Sequence, residues 1–340
     1  MTSFLLVHPG ASWATADVHT GLLAGLRAGG HTVTEYALSG WLAASRVTLA
    51  WLWRKQVRTD GPLKDVRPTP ADVQYDAGER VVARALRADV DWVLVVCAGY
   101  LHPDVAILCR RAKLPLAVVF TESPYDDAEQ AKVAPLYDVC FTNERASVAP
   151  LRKANPQTHY LPAAYDPAQH GPGLNGDARA HDVVFVGSGF DSRTELLAGA
   201  DWTGVDLGLY GAWGHVDAGH PLAPYVRGGL VDNAHAGALY RKARIGLNLY
   251  RGTGGAPAES LNPRAYELAA DGVFTLSHDR AEVGERFGGL VPTFATAEEL
   301  EARVRRWLRE DTGPARAGLP ERVAEDTYHH RAAQLVAHLN

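Results

Sequence analysis

The strongest constraint on this chain is a set of short runs in which almost every residue is apolar. Residues 4–8, 91–97 (DWVLVVC), 116–121 (LAVVFT) and 137–141 (YDVCF) have no polar face, and segments with helical spacing lie between them. A strand with one face in water alternates apolar and polar residues. A run without that alternation must be covered on both faces, as in a parallel sheet held between two layers of helices. The opening shows the unit from which such sheets are made: a strand at 4–8, a helix over 17–28 ended by Gly29 and Gly30, and a second strand at 32–37. The pattern restarts at residue 182 with DVVFVGSG and continues at 205–210, 245–250 and 273–277, and helical patterns over 297–309 and 328–339 close the chain.

A chain of 340 residues exceeds the roughly 250–300 residues at which one core stops growing, so two domains are expected. Residues 161–180 are rich in proline and glycine and read as the linker. This gives an N-terminal Rossmann-like domain over 1–165, a second over 176–325, and a helix over 326–340 that could return to the first. A net charge of -5 argues against a general polyanion binder, though not against a local basic patch. Cys97, Cys109 and Cys140 lie in or beside apolar runs without metal-site or C-x-x-C spacing, so buried free thiols are expected. The first apolar run is short for a secretion signal, and no stretch approaches the ~20 apolar residues of a membrane span. A cytoplasmic protein is the expectation.

Two stretches could carry chemistry. In RGTGGAPAESLNPRAYELAADGVFTLS, residues 251–277, Glu259 and Glu267 are separated by seven residues. Asn262 followed by Pro263 starts a helix between them, with Asn as cap and Pro in the first turn. A glycine-rich loop leading to a helix N-terminus suits phosphate, and carboxylates suit sugar hydroxyls. The bland alternative is a loop charge at 259 and an exposed helix residue at 267. The second stretch is the turn Gly187-Ser188-Gly189, which follows a strand but lacks the third glycine of a dinucleotide fingerprint. It reads equally as a tight strand-to-helix turn. Arg193 falls on the first helical turn beyond it, where it could pair with phosphate oxygens or be a solvated surface residue.

These segments resemble the GT-B glycosyltransferases, whose retaining members carry Glu, seven residues, Glu, a small-residue helix and a strand. The CgeB-like (spore maturation protein) branch is more similar still. Its pattern is matched in TESPYDD (121–127), YDVCFTNE (137–144), YLPAAYDPAQHGP (160–172), DVVFVGSG (182–189), SLNPRAYELAADG (260–272) and DTYHHRA (326–332), in the family's order. The resemblance implies an α/β fold of GT-B architecture, with two Rossmann-like parallel-sheet domains facing a central cleft. It also implies transfer of a sugar from a nucleotide diphosphate sugar to an acceptor hydroxyl, metal-independent and retaining, with no cofactor beyond that donor. Glu267 would hold the ribose hydroxyls and Glu259 would face the donor sugar. Gly187, Ser188, Gly189 and Arg193 would line the diphosphate, with Asn262 and Arg264 beside it. The nucleobase would lie near Tyr210, Gly211 and Val231, the last on the loop before a helix over 238–243. Two features depart from the family: Asp271, where a small residue or Cys is usual, and the glycine-rich loop over 251–258.

The acceptor side is less defined. Glu122, at the end of the apolar run 116–121, is the preferred site residue of the first domain, and an inverting mechanism would need a base there. Gly10, Asp17, His19 and His102 are further candidates near strand ends. Residues 41–67, WLAASRVTLAWLWRKQVRTDGPLKDVR, interleave three Trp with six Lys and Arg. They read either as an amphipathic helix burying its Trp residues or as a surface for an anionic acceptor such as a glycan-lipid, a nucleotide or DNA with hydroxymethylated bases. Two rivals remain. A nucleotide-dependent oxidoreductase would need a complete fingerprint after the first strand, which His8-Pro9-Gly10 does not supply. A non-catalytic nucleotide-sugar binding module would keep the donor residues without turnover.

Overall fold

The computed structural model describes residues 1–10, 15–172 and 180–339. The chain divides into two compact units, Met1–Leu161 with Arg331–Asn340, and Pro162–His330.

The first unit carries strands β1 (Ser3–His8), β2 (Thr32–Ala37), β3 (Trp92–Val96), β4 (Leu116–Phe120), β5 (Val139–Thr142) and β6 (Thr158–Tyr160). They form one sheet in the order β2-β1-β3-β4-β5-β6, and every pairing is parallel. Its helices are α1 (Ala16–Ala28), α2 (Leu38–Arg58), α3 (Pro70–Gly78), α4 (Arg80–Ala88), α5 (Pro103–Arg111), α6 (Asp127–Val133) and α7 (Val148–Arg152). The expectation of strands covered on both faces holds at residue level. Leu5, Val7, Val93, Val95 and Val118 join Val81, Ala85, Val105 and Cys109 in one core cluster. Phe4, Leu6 and Leu94, at the alternate positions and so on the opposite face, are equally buried. Each such side chain contributes about 2 kcal/mol.

The second unit has β7 (His181–Val186), β8 (Leu207–Tyr210), β9 (Val226–Gly228), β10 (Ala243–Asn248), β11 (Thr275–His278) and β12 (Thr293–Phe294). This sheet runs in the order β12-β11-β10-β7-β8-β9 and is again parallel throughout. Its helices are α8 (Asp191–Ala198), α9 (Asn233–Arg241), α10 (Pro263–Ala270), α11 (Ala281–Phe287), α12 (Ala297–Trp307) and α13 (Gly313–Arg322). Phe185, Leu207, Leu209 and Leu247 pack toward α8 and α12, while Val184 and Val186 pack toward Tyr240 of α9 and Leu268 of α10. A last helix, α14 (Tyr328–Leu339), belongs to the first unit from Arg331 onward. There Gln334 donates to the carbonyl of Tyr160 at 3.4 Å and His338 stacks on His159 at 4.0 Å.

Three readings need correction. The helix expected over 238–243 is α9, five residues earlier at its start, because Asp232 accepts a hydrogen bond from the His235 amide and caps it; Ala243 opens β10. The described part of the expected linker is anchored: Tyr165 bridges Thr327 in parallel fashion, and Ala164 and His170 are buried. Proline and glycine there shape a packed segment rather than a free one; residues 173–179 of that linker lie outside the described residues. Finally β6, β9 and β12 are additional edge strands of two or three residues.

The three cysteines are free and buried, and burial holds each thiol above its usual range. Among the described residues no helix is long and apolar enough to cross a membrane.

Candidate functional site

In the second unit the sequence-predicted residues gather at the carboxyl ends of β7, β8 and β10, where ligands of open parallel sheets bind. The glycine turn after β7 is pressed against the end of β8. Gly187 donates its N–H to Tyr210 O at 2.8 Å and Gly189 to Ala212 O at 3.0 Å, so these two amides do not face a phosphate. Glycine is required for a different reason, close approach. A Cβ on Gly187 would lie 2.4 Å from the Arg264 guanidinium, and one on Gly211, whose φ is +124°, would lie 2.4 Å from Gly187 O.

Arg193 is not a solvated residue. It is 7% exposed, and its guanidinium donates to Ser188 O and Leu249 O, each at 2.9 Å. It thereby ties the glycine turn to the end of β10. Arg264, in the first turn of α10, donates to Val186 O at 2.8 Å and to the same Leu249 O at 3.3 Å. Both guanidiniums lie over the Phe185 ring, at 5.4 and 4.6 Å from its centroid, and Arg251 lies over Phe190 at 4.6 Å. Two like charges gathered on one carbonyl and one ring create a strong local positive potential beside Gly187 and Ser188. An anion placed there would relieve their repulsion.

The α10 helix starts as its sequence suggests. The Asn262 side chain accepts from Ala265 N at 3.1 Å and Pro263 follows it, so Asn262 serves as the cap and its side-chain oxygen is engaged. Glu267 is buried at 6% exposure, which overturns the exposed reading. It accepts long hydrogen bonds from Asn233 Nδ2 at 3.4 Å and from Tyr240 OH at 3.5 Å. A buried carboxylate held only by long, neutral donors keeps capacity for further hydroxyl donors. Glu259 sits half-buried in the loop after β10. That loop is tethered: Arg280 donates to Ala258 O at 2.6 Å, the Glu282 side chain accepts from Leu261 N at 2.6 Å, and Gly252 N donates to Ser192 Oγ at 2.9 Å. Tyr210 and Val231 pack against one apolar cluster. The Tyr210 hydroxyl, however, bonds His181 at 2.8 Å, so it does not face a base.

In the first unit a cavity of about 560 Å³ opens at the carboxyl ends of β3 and β4, lined among others by Gln74, Cys97, Tyr100, Glu122, Asp126 and Glu129. Its walls hold three carboxylates and no Lys or Arg, so it suits hydroxyl or amine donors. Cys97 takes a left-handed φ of +63° where β3 ends, a conformation that residues with a side chain adopt at a cost of about 1–3 kcal/mol. Neither it nor Asp126 carried a sequence signal for this site. His102 is elsewhere engaged: it caps α5 by accepting from Asp104 N at 3.2 Å and packs edge-on against Tyr75. Asp17 lies in the first turn of α1, and Gly10 follows β1 with φ +116°. Near them His8 and His19 stack at 4.0 Å, both buried. Burial first, then the neighbouring His19, lowers His8 to about 4, with Glu35 opposing; burial also lowers His19. Both rings are therefore neutral near pH 7. Among the described residues no three His, Cys, Asp or Glu side chains converge as a metal site would require.

Residues 193–337 match the family model described as glycosyl transferase-like. The fold is that of the GT-B structures described below. The matched segment includes Arg193, Glu259, Arg264 and Glu267 and begins just after the glycine turn. Solved structures similar to the whole GT-B-fold chain share little sequence with it. A sucrose-phosphate synthase from Thermosynechococcus elongatus superposes with a TM-score of 0.67 at 16% identity, covering 99% of this chain and 98% of that one. AviGT4, a glycosyltransferase involved in avilamycin A biosynthesis, gives 0.60 at 19% identity over 99% and 97%. A DNA-modifying β-glucosyltransferase, studied with and without uridine diphosphoglucose, gives 0.60 at 13% identity over 99% of both chains. No curated protein matches the sequence.

Proposed function

We propose that the protein transfers a sugar, with retention and without a metal, from a nucleotide diphosphate sugar bound by the second unit to a hydroxyl of an acceptor bound by the first. The observation that carries this reading is the convergence of Arg193 and Arg264 on Leu249 O and the Phe185 ring, beside the bare backbone of Gly187. Charge that develops on a departing diphosphate is stabilised by cations already fixed in place. Glu267 accepts the ribose hydroxyls and Glu259 faces the donor sugar. The bond from the anomeric carbon to the diphosphate oxygen breaks, the acceptor oxygen takes that place on the same face, and the acceptor's hydroxyl proton passes to the departing diphosphate oxygen, a course that needs no strong base. Glu122, lining the cavity, orients the acceptor hydroxyl.

Calorimetric titration with a panel of uridine, guanosine and thymidine diphosphate sugars tests the donor reading. Saturable binding, lost in Glu267→Ala, is expected, followed by transfer or slow donor hydrolysis. Absence of affinity for every member of the panel refutes it, and binding without any turnover identifies a binding module.

A second reading of the acceptor has its own observation. Of the 13 exposed large apolar residues among those described, eight fall between Trp41 and Tyr75, Trp41 and Trp51 among them, so these two Trp residues do not pack into the core. Helix α2 contains Arg46, Arg54, Lys55 and Arg58 and no acidic residue, and α3 beside it supplies Gln74 to the cavity. A hydroxymethylated base could enter the acidic cavity while its phosphates lie on α2, as in a phage-type DNA glycosyltransferase. Transfer to hydroxymethylated but not to unmodified duplex DNA supports this acceptor, and no transfer to either removes it.

A further inference from the structure

Asp271, one of two places where the chain departs from the pattern it resembles, anchors a buried group of charges on the helix that carries Glu267. Its side chain is fully buried and pairs with His170 Nδ1 at 2.9 Å. It also accepts from Gly171 N at 2.9 Å and from the Arg241 guanidinium. The fit is close enough to dictate a glycine inside α9: a Cβ on Gly237 would lie 2.9 Å from Arg241 and 3.0 Å from Asp271. His170 is itself without side-chain exposure. Because its Nδ1 is bonded to a carboxylate, that nitrogen carries the first proton, and a second would sit on Nε2. Nε2 is buried, and the Asn233 side chain lies against the ring.

The surroundings of the ring decide its charge. From α10 it faces the carboxylates of Asp271 and Glu267; from α9 it faces the Arg241 guanidinium, the Tyr240 phenol and the Asn233 amide. Arg264 lies beside Tyr240 and against Gly187, where the donor phosphate is read to bind. Arg241 is paired with Asp271, while Glu267 is held by the neutral Asn233 and Tyr240. An imidazolium restores the balance, which in a buried site is worth more than at a surface. Burial pulls the His170 proton off, but the Asp271 hydrogen bond and the charges of Glu267 and Asp271 outweigh it and raise the imidazole above its ordinary value.

We propose that His170, clamped by Asp271, is a positioning residue of the donor site: as an imidazolium it balances Glu267 and holds Asn233 and the carboxylate in place for the ribose hydroxyls. The proposal rests on the donor reading above. It links donor affinity to one proton. The sign follows from the direction of the shift: the proton is present below the raised value and lost as pH rises through it, so affinity declines on the alkaline side.

Titration of uridine diphosphate and guanosine diphosphate into the full chain from about pH 6 to about 9 tests it. Wild type is expected to weaken toward alkaline pH. His170→Gln is expected to bind about tenfold less tightly at the acid end and to lose the pH dependence, with KM for the donor raised and kcat at saturating donor unchanged. Asp271→Asn should move the alkaline decline to lower pH without abolishing it. A His170→Gln protein that binds like wild type with the same pH profile overturns the proposal. So does loss of kcat and affinity in equal measure. If His170→Gln does not fold, 15N-histidine resonances of the wild type decide: a His170 ring that stays neutral throughout the range overturns it. Failure of the wild type to bind any nucleoside diphosphate overturns the donor reading as well, and so is distinct from a wild type that binds while His170→Gln binds identically.

Discussion

The two sheets each have six parallel strands and are opposites in the chemistry at their carboxyl ends. In the second unit three arginines surround Phe185 and Phe190. In the first, the carboxyl ends of β3 and β4 hold Glu122, Asp126 and Glu129 around a cavity whose lining has no Lys or Arg. One scaffold therefore carries a cationic edge and an acidic edge. Fold alone does not distinguish them, since function lies in the residues grafted at the strand ends.

The largest expected effect tests that division directly. Arg264→Ala removes one of the two guanidiniums on Leu249 O, and truncating a charge that pairs with a ligand anion costs about 2–5 kcal/mol. Donor dissociation constants should rise at least thirtyfold by calorimetry. Glu122→Ala should leave donor affinity unchanged and raise KM for the acceptor. If both substitutions weaken the donor alike, the contrast between the edges is wrong.

Proton linkage gives the next effect, and it separates the first unit's histidines from His170 in the second. His8 is held at about 4 against 6.5 for an ordinary imidazole. The unfolded chain therefore takes up this proton near 6.5 and the folded chain only near 4. The stability His8 confers is complete above 6.5 and is lost as pH falls between those values, by on the order of 3 kcal/mol. Thermal unfolding of wild type and His8→Leu between those pH values should show the wild type losing stability more steeply. Parallel curves would mean that the ring is protonated in the folded state.

Much of this division was legible in residues and much was not. The strands at 4–8, 91–97 and 116–121 were readable because burial on both faces leaves no polar position, which is a signal of composition alone. The cap at Asn262 and the helix over 17–28 were readable because capping is local. The edge strand β12 has two residues, too few to show any period. The identity of Arg193 says nothing of its burial, which depends on carbonyls more than fifty residues away at Leu249 and Tyr250. His170 and Asp271 meet across 101 positions, so neither can signal the other in a single sequence. Local rules located the elements, and the ligand-facing side chains were set by contacts that no local rule reaches.

Gly211→Ala has a smaller effect and carries its own control. Its φ of +124° and the overlap of a Cβ with Gly187 O at 2.4 Å should cost about 1–3 kcal/mol. Gly254→Ala, with φ +60° and open space around the Cβ, should cost about 1 kcal/mol, from backbone strain alone. Denaturant unfolding orders the two. Equal losses would mean that the turn after β7 is not pressed against β8 as tightly as its geometry indicates.

The smallest effect concerns α2. Trp53 donates to Lys64 O at 2.9 Å and lies under Arg67, so Trp53→Ala should lower stability by about 1 kcal/mol through a lost hydrogen bond. Trp51 is 54% exposed, and its removal should change stability by less than about 0.5 kcal/mol. A residue kept for an anionic acceptor behaves differently from one kept for folding. Trp51→Ala should leave the melting temperature in place while raising KM for a DNA acceptor, and that KM should rise steeply with salt in both proteins because phosphate contacts release counterions. A KM insensitive to both Trp51 and salt would confine acceptor recognition to the acidic cavity, and the contrast between the edges would then hold without any contribution from the basic helix.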